Sequence, residues 1–170
     1  VVSLLGILKA GAAYLPLDVG LPVQRRQLIL QDAKPQHCLT QFAYKNDLTE
    51  GVQAYCWDDQ NWQQQLAALP TNQVQYPQPV TADSPVFCLY TSGTTGKPKG
   101  VLMPHKAMSN LLYAQVEHNA LLSQKMTTLQ FASIGFDASF HEIFTTLLWG
   151  GELVLLTEQQ RKNLHALPNF

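Results

Sequence analysis

The sequence predicts an α/β fold, a parallel or mixed sheet flanked by helices, and three observations carry that prediction. Short apolar or β-branched runs alternate with stretches of helical spacing, the pattern of strands with crossover helices. Hydrophobic residues make up 46% of the 170 residues and charged ones 14%, which are globular rather than disordered values. A chain of that length can bury one real core.

Taken in order, Val1 to Ala10 reads as the tail of a buried helix, through Val1, Val2, Leu4, Leu5 and Leu8, with Gly11 as its C′ stop. Ala13–Leu17 is short and extended, and Pro16 suggests an edge or a strand end. Pro22 suits the first position of a helix running to about Ala33. His37–Thr40 and Val52–Trp57 are strand candidates, and Asp59–Leu69 is a helix candidate. Eight glutamines between Gln53 and Gln78 read as a solvated helix face leading into a loop, Pro70 to Pro85, with four prolines. Val86–Tyr90 is an apolar strand, and Val101–Met103 is another.

Further on, His105–Leu122 has helical spacing at Met108, Leu111, Leu112 and Val116. Thr128–Phe131 reads as strand. Phe140, Ile143, Phe144, Leu147 and Leu148 fall at i, i+3, i+4, i+7 and i+8, an amphipathic helix. Gly150-Gly151 ends it, and Leu153–Leu156 is a buried strand. Ser139-Phe140-His141-Glu142 has the S-x-x-E form of a capping box, which predicts Ser139 as N-cap and Asp137 in extended backbone two residues ahead of it.

Composition excludes several classes. A net charge of −1 gives no reason to expect nucleic acid or an anionic membrane as partner. No apolar run reaches a membrane span, and no secretory signal is present. Three cysteines, Cys38, Cys56 and Cys88, sit in separate strand-like runs without C-x-x-C spacing, so reduced buried thiols in a cytoplasmic setting are expected. Five histidines lack ligand spacing, which argues against zinc. Both termini fall inside or just after apolar patterns, so the sequence is expected to be a domain fragment, 1–170, truncated at both ends.

The chemistry concentrates in Tyr90-Thr91-Ser92-Gly93-Thr94-Thr95-Gly96-Lys97-Pro98-Lys99-Gly100. Between Thr91 and Gly100 there are three glycines, four hydroxyls and two lysines, directly after a strand. Glycine lets amides turn toward a ligand, hydroxyls add donors, and lysines add point charge, together a phosphate cradle. It is not a Walker A loop. Two residues rather than four separate Gly93 from Gly96, and Pro98 and Gly100 lead into strand instead of helix.

This loop resembles the signature of adenylate-forming enzymes, the superfamily of acyl-CoA synthetases, luciferases and the adenylation domains of nonribosomal peptide synthetases. Leu8-Lys9-Ala10-Gly11-Ala12-Ala13-Tyr14-Leu15-Pro16-Leu17-Asp18 resembles the early L-K-A-G-x-A-Y-x-P-x-D motif of adenylation domains. Phe131-Ala132-Ser133-Ile134-Gly135-Phe136-Asp137-Ala138-Ser139 resembles their F-D-x-S segment. The resemblance covers nearly the whole chain and implies part of the large N-terminal subdomain of an amino-acid adenylation domain. Thr91, Ser92, Gly93, Thr94, Thr95, Gly96, Lys97 and Lys99 would hold the ATP phosphates, with Mg2+ sharing their charge. Phe136, Asp137, Ala138 and His141 would face the amino-acid substrate, with Asp137 gripping its α-amino group.

The resemblance further implies carrier and condensation domains in the parent synthetase, a phosphopantetheine thiol as acceptor, and no activity from these residues alone. It assigns no catalytic residue within them; the later acidic metal contact, the ribose-binding aspartate and the catalytic lysine have no counterpart before Phe170. Spacing leaves two roles open for Asp137, a substrate contact or a helix cap in place of Ser139. His105 is either near the acyl pocket and nucleotide or a helix-start histidine bonded to backbone. Lys9 and Asp18 read as structural. An acyl-CoA or aryl-CoA ligase and a non-catalytic nucleotide-binding remnant are the alternatives; Asp137 and the early motif argue against the ligase.

Overall fold

The computed structural model describes residues 1–71, 79–92 and 97–162. It is a mixed α/β arrangement. Helix α1 (Val2–Lys9) ends as predicted: Gly11 takes φ 75°, its N–H donates to Leu8 O, and Ala12 N–H reaches Ile7 O, a Schellman turn that satisfies the last free carbonyls. Helix α2 (Val23–Ala33) starts one residue later than expected, because Pro22 keeps an extended ψ of 141° and sits at the N-cap rather than in the first turn. Strands β1 (His37–Thr40) and β2 (Gln53–Cys56) pair in parallel. Helix α3 (Gln60–Ala67) is capped by Asp59, whose carboxylate accepts from Asn61 N–H and Trp62 N–H.

Strands β3 (Pro85–Ser92) and β4 (Pro98–Pro104) form an antiparallel hairpin, and α4 (His105–His118) follows directly. Strand β5 (Thr127–Gln130), helix α5 (Asp137–Leu148) and strand β6 (Glu152–Leu155) form a β-α-β unit with β5 parallel to β6. The short α6 (Glu158–Lys162) comes last among the described elements. Among the described residues the regular pairing is thus three two-stranded ladders, parallel, antiparallel and parallel. Tyr14 adds a parallel bridge to Phe87 on the outer edge of β3, so the extended stretch 13–17 contributes one bridge and not a full strand.

The core lies where α1, β3, α4 and α5 meet. Leu4, Tyr14, Val86, Phe87, Met108, Leu112, Phe140 and Ile143 are buried together. Phe87 is 1% exposed, with its ring 5.6 Å from Tyr14 and 5.5 Å from Phe140. Strand β3 and helix α5 are therefore joined through an aromatic contact. The predicted apolar face of α5 is only partly buried: Phe140 and Ile143 are inside, whereas Leu147 and Leu148 are exposed. Among the described residues the cysteines are unpaired, with Cys56 buried and Cys38 and Cys88 half-buried. Among the described residues no helix is long and apolar enough to cross a membrane.

Candidate functional site

The predicted phosphate cradle is the tip of the β3–β4 hairpin. Register pairs Thr91 with Lys99 and Ser92 with Pro98, so strand flanks residues 93–96 on both sides. Thr91, Ser92, Lys97 and Lys99 are all exposed there. Gly93, Thr94, Thr95 and Gly96 lie outside the described residues.

The back of the hairpin explains why the tip is presented this way. Cross-strand partners share a face, and successive residues alternate faces. Tyr90 and its partner Gly100 therefore occupy the face opposite Thr91 and Lys99. A Cβ on Gly100 would stand 3.0 Å from Tyr90 Cζ and 3.0 Å from Cys88 Sγ, so glycine is what lets the tyrosine ring lie across β4. The Tyr90 hydroxyl donates to Asp32 Oδ2 of α2 at 2.5 Å. Burial, then the Asp32 hydrogen bond and charge, push the Tyr90 phenol well above its usual range. Burial and the same carboxylate raise the Cys88 thiol. One face of the hairpin is thus fastened to α2 at Tyr90, while Thr91 and Lys99 on the opposite face are exposed.

The second group of predicted residues lies at the start of α5, where the predicted capping is corrected. Asp137 is the first helical residue, not an extended residue ahead of a cap, and the N-cap is Phe136. Ser139 does not cap: its hydroxyl donates back to Phe136 O at 2.7 Å. Asp137 Oδ1 instead accepts from Ala138 N–H at 2.9 Å, one of the free donors of the first turn. Phe136, Asp137 and Ala138 are exposed. Asp137 sits on an open surface whose neighbours in sequence, Phe131, Ile134 and Phe136, also expose large apolar side chains.

His141, one turn further along α5, is half-buried, and its Nε2 is enclosed without a hydrogen-bond partner among the described residues. An enclosed donor or acceptor left unmade costs about 1–3 kcal/mol. His105 starts α4 through its backbone, its N–H donating to Ser84 O at 2.9 Å. Lys9 lies exposed in the last turn of α1, where its positive charge complements the negative end of the helix dipole.

Sequence reasoning missed the contacts that hold the segment before Asp137. Glu142 does not reach back to the start of its own helix. Its carboxylate accepts from Phe131 N–H at 3.0 Å and from Ala132 N–H at 3.0 Å, and from Gln130 Nε2 at 3.2 Å. Asp18 accepts from Gly20 N–H at 2.8 Å and from the Ser133 hydroxyl at 3.0 Å. The buried Arg26 donates to Val19 O at 2.8 Å and pairs with Asp47, fixing the turn that carries Asp18. The signals in the sequence were Asp18, in the early motif, and Glu142, whose S-x-x-E spacing pointed to a different role; nothing local marks Arg26. Among the described residues no three His, Cys, Asp or Glu side chains gather in a way that could hold a metal ion.

The sequence profile of the AMP-binding enzymes matches residues 1–169. The chain belongs to the AMP-binding enzyme family. This AMP-binding chain is 38% identical over 171 residues to bacitracin synthase 3 of Bacillus licheniformis, a match covering 100% of the chain and 3% of that synthase. It is 35% identical to tyrocidine synthase 1 of Brevibacillus parabrevis, covering 100% of the chain and 15% of the synthase. The chain therefore spans a small part of the curated relatives it matches. The AMPPNP-bound nonribosomal peptide synthetase FmoA3 superposes with a TM-score of 0.74 at 28% identity, over 91% of this chain and 16% of that one. The N-terminal subdomain of Klebsiella oxytoca NpsA superposes with a TM-score of 0.71 over 98% of this chain and 41% of that one; at 22% identity it shows the fold.

Proposed function

We propose that residues 1–170 form part of the large N-terminal subdomain of an amino-acid adenylation domain in a nonribosomal peptide synthetase. The family match, the identity to bacitracin and tyrocidine synthases, and the likeness to a synthetase with AMPPNP bound support this reading. The observation that carries it from family to substrate is Asp137: an exposed carboxylate at the first position of α5, with no ion-pair partner among the described residues, near exposed Phe131, Ile134 and Phe136 in sequence. A carboxylate among apolar surfaces suits an ammonium group attached to a carbon skeleton.

In the reaction so read, an oxygen of the amino-acid carboxylate attacks the α-phosphorus of ATP. The bond from that phosphorus to the oxygen bridging to the β-phosphate breaks, and pyrophosphate leaves. Thr91, Ser92, Lys97 and Lys99, with residues 93–96, hold the β- and γ-phosphates and donate to the charge that develops on the leaving group. Asp137 anchors the ammonium group and so presents the carboxylate in line. His141, one turn along the same helix, would lie near the substrate side chain, and its imidazole would favour an amino acid able to hydrogen-bond. Magnesium neutralises phosphate charge when bound, but no described cluster here holds it. The aminoacyl-adenylate then passes to a phosphopantetheine thiol on a carrier domain, with a condensation domain as the further partner. Residues 1–170 alone supply only part of this machinery.

The test is amino-acid-dependent ATP–pyrophosphate exchange by the full adenylating chain that contains residues 1–170. A charged hydrogen bond contributes about 1.5–3 kcal/mol, so Asp137→Ala should lower kcat/KM for the preferred amino acid roughly 10- to 100-fold. Unchanged exchange would show that Asp137 does not hold the substrate.

A further inference from the structure

The segment 130–136 joins β5 to α5 and ends on Asp137, and it is held from two directions. From within α5, Glu142 reaches back eleven residues to the amides of Phe131 and Ala132 and to the side chain of Gln130. Gln130 is 5% exposed, donates to Ala132 O at 2.5 Å, and accepts from Arg161 of α6 at 3.2 Å, so the carboxylate grips a buried and already connected end. From the other side, Asp18 accepts the Ser133 hydroxyl across 115 residues of chain. Asp18 is itself set by Gly20 N–H, and its turn is fixed by the carbonyls of Val19 and Leu21 on buried Arg26. Between Ser133 and Asp137 a single turn remains, closed by Phe136 N–H on Ser133 O at 3.0 Å.

We propose that Glu142 and Asp18 are positioning residues, clamping 130–136 from two sides and so setting the aim of Asp137 at the substrate ammonium group. The inference rests on the reading of Asp137 given above. The two carboxylates have different anchors, one on the helix that carries Asp137 and one on the chain's early motif. Together they leave the loop no freedom to swing as a hinge. Neither touches the substrate; each acts through the backbone that delivers Asp137. Binding that depends on a charge at one position is sensitive to displacements of about 1 Å.

The experiment uses the full adenylating chain and the proteinogenic amino acid that supports the fastest pyrophosphate exchange, compared with the desamino carboxylic acid of the same skeleton. The readout is the ratio of kcat/KM for the two substrates. Asp137→Ala should bring that ratio close to unity. Glu142→Ala and Asp18→Ala should each lower it roughly tenfold through the amino-acid KM, with the ATP KM within twofold of the unmodified protein. Glu142→Gln and Asp18→Asn, which keep an acceptor oxygen, should recover most of the loss. In the Asp137→Ala background, adding Glu142→Ala should lower the ratio no further, because the clamp has nothing left to aim.

If Asp137→Ala leaves the ratio intact, or no amino acid supports exchange, the underlying reading fails. If Asp137→Ala collapses the ratio while the clamp variants lower both substrates equally, the clamp is overturned and the underlying reading stands.

Discussion

Phe87 is the point on which the two halves of the site depend. Five residues before Ser92 on β3, it is 1% exposed and contacts the rings of Tyr14 and of Phe140, three residues after Asp137. Phe87→Ala removes the ring from between an edge bridge, a strand and a helix, none of which can collapse independently into the space. Lost transfer energy plus the residual cavity places such a change at about 3–5 kcal/mol. In a domain of this size each kcal/mol corresponds to a shift of about 2–4 °C in Tm. Thermal or urea unfolding of the purified chain should therefore show a fall of roughly 10 °C, with an unchanged urea m-value if only the native packing is lost. Phe87→Leu, which refills most of the volume, should cost about 1.5 kcal/mol or less. A Phe87→Ala Tm within about 2 °C of the unmodified chain would refute the claim that this ring joins the hairpin to α5.

Two further outcomes follow from local geometry. A Cβ on Gly151 would stand 2.4 Å from Met126 O, a backbone atom that cannot yield, so Gly151→Ala should displace the β6 start from β5 and destabilise the chain by more than about 3 kcal/mol, read by urea unfolding. Tyr14 and Tyr90 both have phenols raised above the ordinary value near 10, Tyr14 by burial and Tyr90 by burial and then Asp32. The unfolded chain then ionises first, so their contribution to stability is whole below about pH 10 and declines as pH rises through the folded values. Tyr90→Phe should flatten that alkaline decline in a pH series of unfolding midpoints; an unchanged slope would show the Asp32 bond to be unimportant.

Most elements could be read from the sequence because their causes are local. Gly11 and Gly150 stop α1 and α5 in left-handed backbone with φ 75° and 71°, and Asp59 caps α3 through its own side chain. The strands on either side of the cradle were legible from the apolar runs Val86–Tyr90 and Val101–Met103. The misread elements share a cause. Glu142 satisfies the local spacing of a capping box, but two backbone amides at the end of β5 outcompete the N-cap for its carboxylate. Leu147 and Leu148 fit the helical period yet stay exposed, since periodicity reports a face and not what covers it. Asp18 with Ser133, Tyr90 with Asp32, and Arg26 with Asp47 are long-range pairs that no local window contains.

The most direct test of the account is a crystal structure of the full adenylating chain with a non-hydrolysable aminoacyl-adenylate analogue and pyrophosphate. The account predicts the analogue's ammonium nitrogen within about 3 Å of an Asp137 carboxylate oxygen, and pyrophosphate oxygens at hydrogen-bond distance from the Thr91–Lys99 hairpin tip. An ammonium group held by a different acid, with Asp137 turned to solvent and the hairpin tip empty of phosphate, would contradict it.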